Sequence, residues 1–136
     1  MEKIAKQVIV IRKDLNMRKG KMVAQGAHAS MKFILDRGYY GRSELDSPEE
    51  FHSIGITEPA IKSWMQGLFT KVCVSVDSEE ELISIYEKAK ESGLVVSMIT
   101  DSGLTEFAGV PTKTCIAIGP NWSEEINEIT GHLKLL

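Results

Sequence analysis

Short β-branched runs alternate along this chain with longer stretches of helical character, and that alternation restricts the fold more than any single residue does. QVIVIR (7–12) precedes a helical stretch from about Lys19 to Leu35. TKVCVSV (70–76) precedes SEEELISIYEKAKES, where Ser78 reads as an N-cap before an acidic first turn and Gly93 as the residue that ends the helix. LVVSMIT (94–100) and TCIAIG (114–119) follow, and Ser123 with Glu124 and Glu125 opens a last helix. Strand, helix, strand, helix, strand in this order predicts an α/β protein, a largely parallel sheet with helices on its faces. At 136 residues the chain makes one domain, which buries roughly two thirds of its unfolded surface and needs no covalent staples.

Residues 36–69 are too many for an ordinary connection. Capping signals at Ser47-Pro48-Glu49-Glu50 and Thr57-Glu58-Pro59 predict two short helices, the second carrying Trp64 and Met65, in a subdomain inserted at the domain edge. His52, without a partner at metal-ligand spacing, reads as a solvent-facing or capping residue. Cys73 and Cys115 sit singly in apolar runs and read as buried thiols in a reducing compartment. MEKIAKQ lacks the apolar stretch of a signal peptide, and no apolar run reaches the roughly 18 residues of a membrane span. A cytoplasmic protein is expected.

The net charge of −3 conceals a division. Residues 1–42 hold ten cations and three anions, a balance of +7, and the remaining residues carry −10. Such asymmetry points to a basic surface that meets a polyanion, or else to a solvated basic face. Within the basic part, Lys21, Gln25, His28 and Lys32 recur at helical spacing as one polar stripe. Ala24, Ala27, Met31 and Leu35 form a neighbouring stripe of mostly small side chains, expected to lie close against the sheet. The helix N-terminus then sits at the carboxyl edge of the strands with free N–H groups and a partial positive charge, which suits phosphate. A nucleotide-triphosphate loop of the form GxxxxGK[ST] is excluded, because the position five before Gly20 is Leu15.

Asp101 follows an apolar strand directly and should reach the same edge as Lys21, with Gly103, Thr105, Thr112 and Thr114 around it. A carboxylate beside an ammonium stays ionised, and the hydroxyls can orient a water. An Asx turn closing the strand is the competing explanation.

KGKMVAQGAHASM, TDSGLTEF followed by PTKT, AIGP, and the terminal TGHLKLL together resemble the archaeal and eukaryotic type of peptidyl-tRNA hydrolase, the second of two unrelated families with that activity. The blocks occur in the family's order and span Gln7 to Leu136 except for residues 36–69. The resemblance implies a three-layer α/β/α sandwich around a mixed, mostly parallel four-stranded sheet, with the helical segment inserted. It implies a homodimer without metal or organic cofactor, which acts on peptidyl-tRNA and has no DNA or membrane partner. The reaction implied is hydrolysis of the ester joining a peptide to the terminal ribose of tRNA.

By the same resemblance, Lys21, Asp101, Thr105 and Thr114 fall on the catalytic positions, and Gln25 and His28 on supporting ones. Where family members often read D-A-G-R-T-Q, this chain has Asp101-Ser102-Gly103-Leu104-Thr105-Glu106, one cation fewer and one anion more. The stretch from Thr105 to Thr114 is one residue longer than the usual pattern. In the mechanism expected, Asp101 polarises or deprotonates water, Lys21 fixes that carboxylate or meets the oxyanion, and Thr105 and Thr114 place water and ester. Arg12, Lys13, Arg18 and Lys19 would meet tRNA phosphates. His28 stays open as a proton shuttle. Two other classes also stay open: an RNA-binding protein that keeps the fold without turnover, and a module for small phosphate ligands.

Overall fold

QVIVIR lies in β1 (Ala5–Arg12), where every residue except Lys6 is buried. A computed structural model describes residues 3–42 and 50–136, apart from the side chains of Tyr40, Arg42 and Phe51. After β1 come α1 (Lys19–Arg37), β2 (Tyr39–Arg42), β3 (Glu50–Ser53), α2 (Pro59–Gln66), β4 (Lys71–Val76) and α3 (Glu79–Glu91). Then follow β5 (Val96–Asp101), β6 (Thr112–Trp122) and α4 (Ser123–Thr130). α3 begins as its punctuation requires, with Ser78 Oγ accepting from Glu81 N at 3.0 Å.

The main sheet has the order β4-β1-β6-β5. β1 and β4 pair parallel, whereas β6 pairs antiparallel with both β1 and β5. Three strands therefore point one way and β6 runs against them. The strand directions are mostly parallel as expected, but most of the hydrogen-bonded pairing is antiparallel. The cause is the connection from β5 to β6: it is short and carries no helix, and parallel neighbours need a crossover.

Alternation along β1 feeds two cores. Val8 and Val10 join Val74, Val76, Ile116 and Ile118 under α3 and α4, through Leu82, Ile85 and Ile126. Ile9 and Ile11 face the other way and pack with Met17, Ala29, Cys115 and Ala117 beneath α1. Helices cover both faces, which makes the three layers.

Three expectations are corrected. The segment 36–69 holds a β2–β3 hairpin where the first short helix was expected; Ser47–Glu49 lie outside the described residues, and Glu50 begins β3. The second helix is present as α2, but it is no edge appendage. Ala60, Ile61 and Trp64 are buried with Ala5 of β1 and Phe33 of α1, the Trp64 and Phe33 rings meeting edge to face at 6.0 Å. His52 is half-buried, with Nε2 3.5 Å from Ile34 O in the last turn of α1, in keeping with the capping role. Finally, Cys73 is exposed because β4 ends the sheet, while Cys115 is fully buried and burial pushes its thiol up to about 11.

Trp64→Ala should therefore cost about 3–5 kcal/mol, the usual range for emptying an aromatic core site. Met65→Ala, at a position 38% exposed, should stay within about 0.5 kcal/mol of wild type. Urea unfolding of the two variants measures both. Equal midpoints would mean that α2 does not belong to the cooperative core.

Candidate active site

The face of α1 that meets the sheet is not the one its sequence suggests. Gln25, Gly26, Ala29, Ser30 and Phe33 are buried, whereas Val23, Ala24, Ala27, Met31 and Leu35 are exposed. A polar residue can occupy the buried face only where the sheet offers it a partner, and here it does so twice. Ser30 Oγ donates to Gln7 Oε1 at 2.6 Å while Gln7 Nε2 donates to Ser30 O at 3.1 Å. Five residues earlier, Gln25 Oε1 accepts from Thr114 Oγ1 at 2.5 Å, and Gln25 O accepts from the thiol of Cys115 at 3.3 Å.

That two consecutive residues of β6 both reach α1 follows from a bulge. Ile99 pairs with Cys115 and Thr100 with Lys113, so Thr114 is the extra residue between them. A bulge breaks the side-to-side alternation of a strand. Thr114 is fully buried as a result. Its hydroxyl therefore reaches α1 and does not face a cleft.

Seated in this way, α1 brings Lys21 to the end of β5. Lys21 Nζ lies 2.8 Å from Asp101 Oδ1 and 2.7 Å from Thr105 Oγ1, with the Phe107 ring 5.7 Å away. Gln25 Nε2 donates to the same Oδ1 at 3.2 Å, and Asp101 Oδ2 accepts from Gly103 N at 2.9 Å. The last contact is the Asx turn that competed with a functional role, so Asp101 closes its strand and joins a polar cluster at once. The Lys21 ammonium, more than the N–H donors of Gly103 and Gln25, holds the Asp101 carboxyl below its ordinary range.

The remaining candidates divide. Thr105 is exposed beside the ion pair, and His28 lies exposed on α1 outside the network. Arg12 is spent elsewhere: it is only 9% exposed, grips Asp14 with Nε and Nη2 at 3.1 and 2.6 Å, and donates to Lys113 O. Lys13, Arg18 and Lys19 are exposed. Arg18 Nε lies 3.8 Å from Glu106, a contact that sequence reasoning missed together with Phe107, Gly103 N and the thiol of Cys115. α1 begins without a side-chain cap or an acidic residue in its first turn. Cations at that end oppose the helix dipole, so an incoming anion would relieve the mismatch.

The family model described as Peptidyl-tRNA hydrolase PTH2 matches residues 5–136. This chain belongs to that family. The peptidyl-tRNA hydrolase of Methanocaldococcus jannaschii is 45% identical over 131 residues, which covers 96% of this chain and 99% of its own. Those of Methanothermobacter thermautotrophicus and Nanoarchaeum equitans are each 42% identical over 132 residues, covering 96% and 97% of this chain and 99% of each relative.

The depressed carboxyl has a consequence for folding. A group whose folded pKa lies below its unfolded value stabilises the protein above the unfolded pKa, and this contribution is lost as pH falls through the folded one. Lys21→Met removes the main cause. The stability gap between wild type and Lys21→Met should be complete above about pH 5 and close in more acidic solution. Urea titrations at several pH values measure it; a gap independent of pH would show that the pair does not depress Asp101.

Proposed function

We propose that this chain hydrolyses the ester between peptide and tRNA at the Lys21, Asp101 and Thr105 cluster. The carrying observation is the Lys21 ammonium held between Asp101 and Thr105, at the uncapped and basic start of α1. Asp101 orients a water and takes up its proton as oxygen attacks the ester carbonyl. Lys21 faces the negative charge that develops on the carbonyl oxygen. The proton then passes to the departing ribose oxygen, leaving a tRNA hydroxyl and a peptide carboxylic acid that ionises by releasing its remaining proton to solvent. Lys13, Arg18 and Lys19 are the cations available to phosphate, since the guanidinium of Arg12 is already engaged.

The same proposal takes residues 1–136 as one domain, with 36–69 the segment by which it departs from its family's pattern. It places the protein in the cytoplasm, where translation supplies peptidyl-tRNA. A homodimer is part of it as well. Its support is the apolar stripe of α1, where Val23 is 72% and Met31 and Leu35 are each 53% exposed, more than a solvated helix needs.

Incubation with a blocked and an unblocked aminoacyl-tRNA in EDTA tests the activity: only the blocked ester should be cleaved. Binding without cleavage is the result that would identify a non-catalytic relative. Asp101→Asn should lower single-turnover hydrolysis by about 10²-fold or more and leave tRNA affinity unchanged. Near-wild-type turnover in a folded Asp101→Asn protein would leave Asp101 as a turn residue and move attention to His28. Affinity for tRNA should fall steeply with salt, and Arg18→Ala or Lys19→Ala should flatten the slope. An affinity that ignores salt would make the basic run a solvated face.

A further inference from the structure

The sequence resemblance puts Thr114 on a catalytic position, yet it is fully buried and its hydroxyl is taken up by Gln25. Gln25 is itself only 2% exposed. We infer that Thr114 is a positioning residue that never touches substrate and acts through Gln25, fixing the direction in which the Gln25 amide faces Asp101.

The chemistry of the amide carries this. Asp101 Oδ1 is an acceptor, so Gln25 must present its NH₂ group there, as it does at 3.2 Å. Its carbonyl oxygen is then forced towards β6, into a site without water access where it needs a donor. Thr114 Oγ1 supplies that donor. Cys115 meets the backbone of the same residue, with its thiol on Gln25 O at 3.3 Å, so β6 holds Gln25 at both backbone and side chain. Without the Thr114 hydroxyl, the buried carbonyl oxygen has no donor, so the amide either shifts to find one or turns over and sets its oxygen against Asp101 Oδ1. Either way its hold on Asp101 loosens. The β6 bulge exists at the one residue where this contact is made.

Because this rests on the proposed hydrolysis, its test includes a readout that needs no turnover. Thr114→Val keeps the shape and removes the donor, Thr114→Ser keeps the donor, and Gln25→Met removes both ends of the amide contact, leaving the Thr114 hydroxyl without its acceptor until Thr114→Val is added. The measurements are kcat and KM on a blocked aminoacyl-tRNA, and the side-chain carboxyl titration of Asp101 by ¹³C NMR. Thr114→Val should lower kcat about 10-fold or more, the scale of a slightly misplaced group, with KM unchanged. The Asp101 midpoint should move to higher pH, since a donor to the carboxylate is weakened. Thr114→Ser should restore both.

In the Gln25→Met background, Thr114→Val should add little, because the path it acts through is already gone. The double variant leaves no unpaired group, so it serves even if Thr114→Val alone does not fold. A full additional loss in that background, or a KM effect with the Asp101 midpoint unmoved, overturns the relay and puts Thr114 in direct contact with substrate. A midpoint that follows Thr114 while Asp101→Asn stays active upholds the relay and defeats only the assignment of Asp101 as base.

Discussion

Two buried glutamines hold α1 in one register on the sheet, and the candidate site depends on it. Gln7 is fully buried and clasps Ser30, and Gln25 is nearly so and is clasped by Thr114. An apolar contact tolerates a small slide, but a buried amide does not, because each unmade hydrogen bond there costs about 1–3 kcal/mol. The two contacts lie five residues apart along α1 and on different strands, β1 and β6. Together they leave the helix neither rotation nor translation. Lys21, one turn before Gln25, is thereby delivered to Asp101 across 80 residues of sequence.

The same contacts explain what the sequence concealed. Strands and helices were legible because their patterns are local: β-branched runs, Ser78 and Gly93 as punctuation, Pro59 at a helix start. The inward face of α1 was not, because hydrophobic periodicity assumes that polar residues face water. Here Gln25 and Ser30 face inward and Val23, Met31 and Leu35 outward, an inversion that becomes sensible only once Gln7 and Thr114 are known to lie beneath. The Thr114 bulge was equally hidden, since nothing in PTKTCIAIG marks where alternation breaks. The hairpin in 39–53 escaped because the Ser-Pro-Glu-Glu signal for a helix overlaps the start of a strand.

Lys21 and Asp101 could be brought together from sequence because both sit at element ends, and in an open α/β sheet those ends share one edge. Arg12 could not be separated from the phosphate-binding cations. Its neighbours Lys13, Arg18 and Lys19 are exposed, and only the structure reveals Asp14 and Lys113 O closing around its guanidinium. A formal charge of +7 therefore overstates what the N-terminal region offers a polyanion. Glu106 beside Arg18 reduces it further.

Within the proposed mechanism, the geometry also says how Asp101 handles water. Oδ1 already accepts from Lys21 and Gln25, which fills its two lone-pair directions, whereas among the described residues Oδ2 accepts only from Gly103 N. The attacking water therefore hydrogen-bonds to Oδ2. A carboxylate held below its ordinary pKa is a weak base at neutral pH and draws a proton from free water poorly. Its work is to aim the water first and to accept the proton only as the new C–O bond makes that water acidic. Of the three N–H donors of Lys21, two are placed on Asp101 and Thr105, and one remains for the oxyanion. The ammonium that makes Asp101 a poor base in the resting enzyme thus faces the charge that makes a strong one unnecessary.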